Sequence, residues 1–199
     1  MAFLRAGSAH DALILQGRCV YLRPLQLGDY AAWAELRSQS RAHLVPWEPA
    51  WSMDDLTKAS FRRRVRHYQK EALDDLGYAL LIFETEGARL VGGLTLSHLK
   101  RGVTQSATLG YWLGAPYVGR GYMSDAVRAI LPYTFETLSL HRIEASVQPT
   151  NEASLRVLDR VGFRREGMAR GYLKINGQWQ DHVLFAMLAD EWIIAGRGA

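Results

Sequence analysis

Two glycines at a strand-to-helix junction carry the strongest chemical signal in the chain. Residues 113–124 join a strand-like stretch to a helix-like one, and Gly119 and Gly121 lie one residue apart within them. Glycine lets the backbone approach a ligand closely and adopt positive φ without strain. The first turn of a helix presents unpaired N–H groups and the positive end of the helix dipole, which favour an anion. The spacing predicts a loop that holds a pyrophosphate through its main chain.

Two familiar phosphate-binding motifs do not fit this loop. A Walker A loop ends in Gly-Lys followed by Ser or Thr, which is absent here. A dinucleotide fingerprint needs a third glycine three residues after the second, and Ser124 stands at that position. A Gly-x-Gly pair by itself is also typical of an ordinary loop, so the position between strand and helix is what favours a phosphate site.

A second cluster follows further along the chain. Asn151 and Ser154 lie within one helical turn, so they face the same groove, and Arg160 and the pair Gly162-Phe163 follow. The polar pair has two interpretations. Asn151 is typical of an N-cap with Ser154 in the first helical turn, and the same two side chains could instead face a ligand.

The elements that position these residues alternate between strand and helix. Hydrophobic patterning predicts strands at residues 19–25, 78–84, 89–99, 106–113, 141–147, 164–175 and 178–188. Helices are expected from Asp29, from Ser52 or Asp54 to Asp75, over 121–138 with a kink at Pro132, and over 151–161. Asn176-Gly177 is the strongest hairpin signal. This order predicts a mixed α/β domain.

Together, the glycine loop and the Asn151–Ser154 cluster resemble the Gcn5-related N-acetyltransferase (GNAT) family. In that family an Arg/Gln-x-x-Gly-x-Gly/Ala loop binds the pyrophosphate of acetyl-CoA. Residues 116–121 read Pro-Tyr-Val-Gly-Arg-Gly here. The proline replaces the side chain that would contact the pyrophosphate and leaves the backbone amides intact.

Further segments are similar to the RimJ/RimL branch, whose members acetylate the N-terminal amine of ribosomal proteins. They are Pro-Trp-Glu at 46–48, Gly-Arg-Gly-Tyr-Met at 119–123, Asn-x-x-Ser at 151–154, Gly-Phe at 162–163 and Gly-Gln-Trp-Gln-Asp-His at 177–182. The last segment most resembles the alanine-specific RimJ type. The resemblance covers roughly residues 18 to 193.

The resemblance implies a single-domain α/β GNAT fold with a mixed, mostly antiparallel sheet that is splayed at the acetyl-CoA cleft and flanked by helices. We expect the domain at residues 18–193, a loosely ordered leader at 1–17 and a tail at 194–199. The cofactor-binding residues that it implies are Tyr111, Trp112, Leu113, Val118, Gly119, Arg120, Gly121, Tyr122, Met123, Ser124, Asn151, Ser154 and Arg160.

The resemblance also implies catalytic roles. The Leu113 N–H would polarise the thioester carbonyl and stabilise the tetrahedral oxyanion more than the ground state. Asn151 would bond the pantetheine amides, and Ser154 would donate to the departing CoA sulfur. Residues 111–113 are equally consistent with a plain core strand.

The acceptor side needs a neutral amine. An N-terminal α-amine has a pKa of about 7.7–8.0, so a carboxylate that orients it or relays its proton through water suffices as the base. Glu48, between Trp47 and Pro49, is the candidate, because an aromatic wall would desolvate its carboxylate. A surface loop acid is the alternative. Tyr172 and Asp181 are further acceptor-side candidates, and Trp33, Trp47, Trp51 and Trp112 could form either a pocket wall or core.

The bulk composition limits the compartment and the partners. The 199 residues are 48% hydrophobic and 22% charged, which is ordinary for one globular domain. Cys19 is the only cysteine, so no internal disulfide forms. The longest strongly apolar run, residues 78–83, is far shorter than the roughly 20 residues of a membrane span. We expect a cytoplasmic protein without membrane contact, metal or signal peptide.

The net charge of +4 favours anionic partners such as nucleotide phosphates or RNA. The run Arg-Arg-Arg-Val-Arg-His at 62–67, with Lys70, is either a solvated helix surface or a contact to ribosomal RNA. The sequence leaves open whether the chain is a monomer or a homodimer.

Three functions remain open at this stage. The first is direct acetyl transfer from acetyl-CoA to a protein N-terminal amine, on a ribosomal protein beginning with alanine, without a covalent intermediate on Cys19. The second keeps the chemistry but uses a polyamine, amino sugar or amino acid as acceptor. The third is a non-catalytic acyl-CoA-binding ribosome-assembly factor.

Overall fold

Eight strands form one mixed sheet in the computed structural model, which describes residues 13–196. The strands are β1 (Leu15–Gln16), β2 (Val20–Pro24), β3 (Tyr78–Glu84), β4 (Leu90–Lys100), β5 (Ser106–Leu113), β6 (Arg142–Val147), β7 (Arg164–Ile175) and β8 (Gln178–Leu188). Their spatial order is β1-β2-β3-β4-β5-β6-β8-β7, and every neighbouring pair is antiparallel except β5 and β6.

Helices cover both faces of this sheet. They are α1 (Tyr30–Gln39), α2 (Arg41–Leu44), α3 (Lys58–Leu73), α4 (Tyr122–Pro132), α5 (Glu152–Val161) and α6 (Ala189–Gly196). The alternation along β3 shows the layering. Leu80 and Ile82 join the core cluster that contains buried residues of α4 and α5, whereas Leu81 and Phe83 join the one that contains buried residues of α1 and α3. A strand buried on both faces explains why residues 78–83 are continuously apolar.

The sheet opens between β5 and β6. These two strands pair in parallel only where Ser106–Thr108 of β5 meet Arg142–Glu144 of β6. Beyond that point β5 continues to pair with β4, and β6 continues to pair with β8. The strands therefore diverge toward the C-terminal end of β5, which confirms the expected splayed GNAT-type sheet.

The glycine loop leads directly into α4. Gly119 and Gly121 have φ of +81° and +82°, and Gly121 occupies the N-cap position. Pro132 is the last α-helical residue, and Tyr133–Thr137 form a π-helical turn closed by a bond from the Leu138 N–H to the Tyr133 carbonyl. The helix therefore changes type directly after Pro132, whose ring nitrogen has no N–H for the carbonyl four residues earlier, and the kink stays a prediction.

Local signals set the ends of α5 and of the last hairpin. The Asn151 side chain accepts a bond from the Ser154 N–H, and Gly162 ends the helix with φ of +103°. Both confirm the predicted caps. Asn176 and Gly177 have φ of +44° and +82°, as a two-residue hairpin turn with two positive φ values requires.

The predicted start of α3 is wrong, and the predicted start of α1 at Asp29 is right but lacks a side-chain cap bond. α3 begins at Lys58, where the Thr57 hydroxyl oxygen accepts from the Ser60 N–H. Ser52 does not cap it, because its N–H and hydroxyl bond to Asp55 and Asp54 in a separate turn. Asp29 precedes α1, but its carboxylate binds Arg23 and the Gln26 N–H instead of N–H groups of α1.

The ends of the chain are described in part. Residues 1–12 of the predicted leader and residues 197–199 of the predicted tail lie outside the described residues. The described end of the leader contains β1, which pairs with Tyr21 and Leu22 at the sheet edge. α6 extends into the predicted tail, and the domain bounds stay a prediction. No helix within residues 13–196 has both the length and the apolar character to cross a membrane.

Candidate active site

A cavity of about 280 Å³ lies where β5 and β6 diverge, between the end of β5 and the N-terminal turns of α4 and α5. Most of the predicted site residues line it. They are Trp47, Glu48, Tyr111, Trp112, Leu113, Val118, Gly119, Gly121, Met123, Ser124, Asn151, Ser154 and Arg160. The topology thus brings together residues from four separate segments of the chain.

The glycine loop forms one end of this cavity. An added Cβ at Gly119 or Gly121 would meet no atom within 4 Å, so the positive φ, and not a lack of space, is what requires glycine there. The first-turn N–H groups of α4 follow directly, and such groups have no partner inside their own helix. These donors suit a diphosphate, and Arg160, which also lines the cavity, adds a positive charge.

The backbone of β5 offers a donor at the other end. The Gly114 N–H donates to the Val91 carbonyl at 2.9 Å, so the next pair along the ladder, Leu113 with Gly92, is of the non-hydrogen-bonded kind. The Leu113 N–H therefore points away from β4 and toward the gap left by β6. A thioester carbonyl in the cavity would meet this donor.

Tyr111 and Ser154 form a hydroxyl pair on the cavity wall. The Tyr111 hydroxyl lies 2.8 Å from Ser154 Oγ and 3.3 Å from the Ser154 carbonyl oxygen. Burial raises the pKa of Tyr111 to about 12, so its hydroxyl keeps its proton at neutral pH. The sequence placed Tyr111 only on the cleft wall, and nothing in the local pattern signals this contact across 43 residues.

Asn151 combines both interpretations that the sequence left open. Its side-chain oxygen accepts the Ser154 N–H at 3.1 Å as the helix cap. Among the described residues its amide nitrogen has no hydrogen-bond partner, and Asn151 lines the cavity. The cap therefore holds the side chain in place while one donor stays available.

Glu48 is held by an ion pair that sequence reasoning missed. Its two carboxylate oxygens accept from the Arg37 guanidinium at 2.7 and 2.6 Å, and the Trp51 indole N–H donates at 2.7 Å. An aromatic residue does contact this carboxylate, as expected, but the sequence did not indicate the cation from α1 that pairs with it. The Glu48 carboxylate is therefore held in place from both sides, by Arg37 and by Trp51.

A second cavity, of about 670 Å³, shares Glu48, Tyr111 and Trp112 with the first. It lies against β3, β4 and β5 on the side of α1 and α3. Three of the four tryptophans considered for an acceptor wall line it, namely Trp33, Trp51 and Trp112, and Trp47 lines the first cavity. The two cavities are therefore adjacent, and Glu48, Tyr111 and Trp112 line both of them.

Four predicted side chains do not line either cavity. The Arg120 guanidinium lies 5.7 Å from the Tyr117 ring centre, and the Tyr122 hydroxyl donates to the buried Glu84 carboxylate. On the β7–β8 hairpin, the Asp181 carboxylate accepts the Gly171 N–H at 2.7 Å, and Tyr172 is 47% exposed. The side chains of Arg120 and Tyr122 therefore contact neighbouring residues, and any part that these two residues play at the cavity would be through their main chain.

Comparison with known proteins identifies the family. A family model described as "Acetyltransferase (GNAT) domain" matches residues 20–164. The chain belongs to the GNAT acetyltransferase family. The Bacillus subtilis (strain 168) protein named "Probable N-acetyltransferase YjcK" is 39% identical over 175 residues, which cover 88% of this chain and 97% of that protein.

Two further relatives of this GNAT enzyme carry more specific names. The Escherichia coli (strain K12) ribosomal protein uS5-alanine N-acetyltransferase is 32% identical over 166 residues, covering 82% of this chain and 86% of its own. The solved structure of Mycobacterium smegmatis RimJ in complex with CoA-disulfide has a TM-score of 0.81 and 34% identity, with 92% of each chain covered. These matches confirm the RimJ/RimL-type resemblance.

The protein is an acetyl-CoA-dependent N-acetyltransferase. Its residues fit that cosubstrate, since the glycine loop suits the diphosphate and the gap beside β5 presents a free N–H to a thioester. Within residues 13–196, no group of three or more His, Cys, Asp or Glu side chains is arranged to hold a metal ion.

Proposed function

We propose that this enzyme acetylates the N-terminal α-amine of a protein, and that this protein is a ribosomal protein whose first residue is alanine. The observation that carries the proposal is the meeting of the two cavities at Glu48. The first suits acetyl-CoA, and the second, at about 670 Å³, has room for several residues of an extended chain end. The alanine specificity is supported by the name of the Escherichia coli relative.

Residues on both the acceptor side and the acetyl-CoA side of the site contribute to transfer of the acetyl group. Acetyl-CoA supplies the acetyl group as a thioester. Glu48, fixed by Arg37, orients the incoming amine and accepts its hydrogen bond, which suffices because an α-amine is partly deprotonated at neutral pH. The Leu113 N–H donates to the carbonyl oxygen, and the Ser154 hydroxyl donates toward the leaving sulfur.

The charges around the second cavity favour a peptide over a polyamine. Arg37 and Arg64 line it together with Glu48 and Asp55, so it holds as many cationic as anionic side chains. A polycationic substrate needs an acidic pocket. A non-catalytic binding protein has no need for Glu48, Leu113 and Ser154 to face one gap, which argues for turnover.

The basic run on α3 does not form one uniform patch. Arg63 pairs with Asp54, Lys70 pairs with Asp74, and Arg64 lines the second cavity. Contact between the remaining exposed arginines and ribosomal RNA stays a prediction. We also infer action in the cytoplasm, where nascent ribosomal proteins would be encountered.

The test compares acceptors in one assay. Purified protein and acetyl-CoA are mixed with peptides that begin with Ala, Ser, Gly or Met, with the same Ala peptide blocked at its amine, and with spermidine. CoA release and mass spectrometry report the product. We expect the free Ala peptide to react and the blocked peptide to stay unmodified. Turnover with spermidine alone would refute the proposed acceptor.

A further inference from the structure

Two orphaned nitrogens point to an unassigned recognition function. Within residues 13–196, the buried side-chain polar atoms that lack a hydrogen-bond partner are Nε of Arg37 and Nε of Arg64. Both arginines line the second cavity. An unsatisfied buried donor is costly, more so on a charged group, and such atoms are rare in native proteins. Both side chains therefore reach the wall of one cavity while carrying a donor that the described residues leave unpaired.

The two arginines differ in how their charge is balanced. Arg37 is neutralised by Glu48 through two hydrogen bonds. Arg64 has no carboxylate within 4.0 Å among the described residues, and its guanidinium lies 5.4 Å from the Trp33 ring centre. The guanidinium therefore lies beside an aromatic ring, and its charge stays available to a partner.

The other charged groups nearby are already engaged. Asp55, on the same cavity, accepts the Ser52 N–H at 2.7 Å, and Arg63, the neighbour of Arg64, pairs with Asp54. The pyrophosphate of acetyl-CoA is assigned to the glycine loop beside α4, on other elements. Of the two arginines that line the second cavity, Arg64 is therefore the one that no carboxylate pairs with among the described residues.

We propose that Arg64 binds a carboxylate of the acceptor, so that the enzyme prefers protein N-termini with Asp or Glu within the first few residues. This inference rests on the proposed function. A guanidinium presents two parallel N–H donors that match a carboxylate, and partial burial strengthens the pair. The aromatic rings of Trp33, Trp51 and Tyr68 supply apolar contacts for the neutral residues of the same segment.

The test uses peptide pairs that differ in one charge. Each peptide begins with Ala, and a single Glu is moved through positions 2 to 5 with Gln as the matched control. For wild-type protein we expect kcat/KM to be about tenfold higher for Glu than for Gln at one position, mostly through KM. No such difference, with both peptides readily acetylated, would overturn the inference and leave the proposed function intact.

Variants of Arg64 test whether this side chain causes the preference for Glu over Gln. Arg64→Gln should reduce the Glu-to-Gln ratio toward one, Arg64→Lys should keep part of it, and Arg64→Glu should favour a Lys-containing peptide. Arg63→Gln is the matched control, since that side chain is exposed and paired with Asp54, and it should keep the wild-type ratio. A ratio that survives in Arg64→Gln contradicts the proposal. Failure of every peptide to react would refute both the proposed function and this inference.

Discussion

The Tyr111 hydroxyl lies 2.8 Å from Ser154 Oγ, across 43 residues of sequence. Each hydroxyl has one proton. If Tyr111 donates to Ser154, the serine proton is free to point into the cavity. If Tyr111 donates to the Ser154 carbonyl oxygen at 3.3 Å, the serine proton can turn back to Tyr111. The direction in which the Ser154 hydroxyl donates therefore depends on which acceptor Tyr111 uses, and the proposed function gives Tyr111 a positioning role.

This pair makes a prediction about rates. Ser154→Ala should lower kcat by about 10²-fold, the lower end for loss of a positioned proton donor, with a smaller change in KM for acetyl-CoA. Tyr111→Phe should lower kcat less. The double variant should resemble Ser154→Ala, because Tyr111 acts through Ser154. Ser139→Ala is a control at a distant exposed hydroxyl. Additive losses in the double variant would contradict the shared role.

Tyr111 also predicts an alkaline loss of stability. Its native pKa is raised to about 12 by burial, whereas an unfolded tyrosine has a pKa of about 10. Below pH 10 both states keep the proton. Between pH 10 and 12 the unfolded chain loses it and the native protein retains it, so the free energy of unfolding falls by up to about 2 to 3 kcal/mol. Urea unfolding from pH 8 to 11 should show a shallower fall in Tyr111→Phe than in wild type.

The comparison with Tyr111→Phe is essential because two other tyrosines also have a raised pKa in the folded protein. Burial also raises the pKa of Tyr78 and of Tyr133. Both remain in the variant, so their contribution cancels in the difference between the two curves. Identical slopes for wild type and variant would contradict the assignment to Tyr111.

The sequence predicted β3, β5, β7 and β8 to the residue, because each is an apolar or β-rich run bounded by glycine or Asn-Gly. β1 was missed, because two residues carry no periodicity and are held only by pairing with β2. The start of α3 was misplaced, because Ser52, Asp54 and Thr57 are all plausible caps and only the folded turn selects among them.

The candidate site shows the same division. Motifs that are local in sequence, such as Gly119 with Gly121 and Asn151 with Ser154, were found and lie on one cavity. Contacts between separate elements could not be predicted from the sequence. For example, no sequence pattern around Glu48 indicates that it pairs with Arg37. Tyr172 and Asp181 lie on the β7–β8 hairpin outside both cavities, where Asp181 accepts the Gly171 N–H and Tyr172 is exposed, and their role at the acceptor stays a prediction.

Two substitutions of Glu48 should distinguish its effect on the reaction rate from its effect on folding stability. Glu48→Gln keeps the shape and should lower kcat/KM for a peptide acceptor by about 10²-fold, because the amide no longer accepts as an anion. Glu48→Ala should also reduce the free energy of unfolding by about 3 kcal/mol, because the Arg37 guanidinium, 12% exposed, loses its partner. Steady-state kinetics and urea unfolding measure the two effects. Full activity of Glu48→Gln would refute its role toward the amine.

A side chain introduced into the glycine loop should affect acetyl-CoA binding through backbone strain alone. Gly121→Ala places a side chain at φ of +82°, and the new Cβ meets no atom within 4 Å, so the cost of about 1 to 2 kcal/mol comes from the dihedral angle. We expect KM for acetyl-CoA to rise, since the strained loop turns its N–H groups. Gly177→Ala has the same φ and the same open space but lies in the β7–β8 turn. It should lose similar stability with unchanged KM, and a shared rise in KM would contradict a phosphate role for Gly121.

The carboxylate of Asp125 should make the folding stability of the protein depend on pH in the acid range. Its carboxylate accepts the N–H groups of Arg18, Cys19 and Val20, at 3.1, 2.8 and 3.2 Å, and so fastens the start of β2 to the first turn of α4. Burial by itself raises the pKa of Asp125, but these hydrogen bonds outweigh it and hold the pKa below the usual carboxyl value. Its stabilisation is therefore present above about pH 4 and is lost as pH falls through the lower native value.

Asp125→Asn should accordingly be less stable than wild type at pH 7, by about 2 to 3 kcal/mol for a buried acceptor with several donors, and the gap should narrow toward pH 3. Asp74→Asn is the matched control, because that carboxylate is exposed and pairs only with Lys70, so it should shift stability by less than about 1 kcal/mol. Urea unfolding at pH 7, 4 and 3 gives both comparisons. A gap that stays constant with pH would mean that the charge of Asp125 does not stabilise this junction, and that its shape alone does.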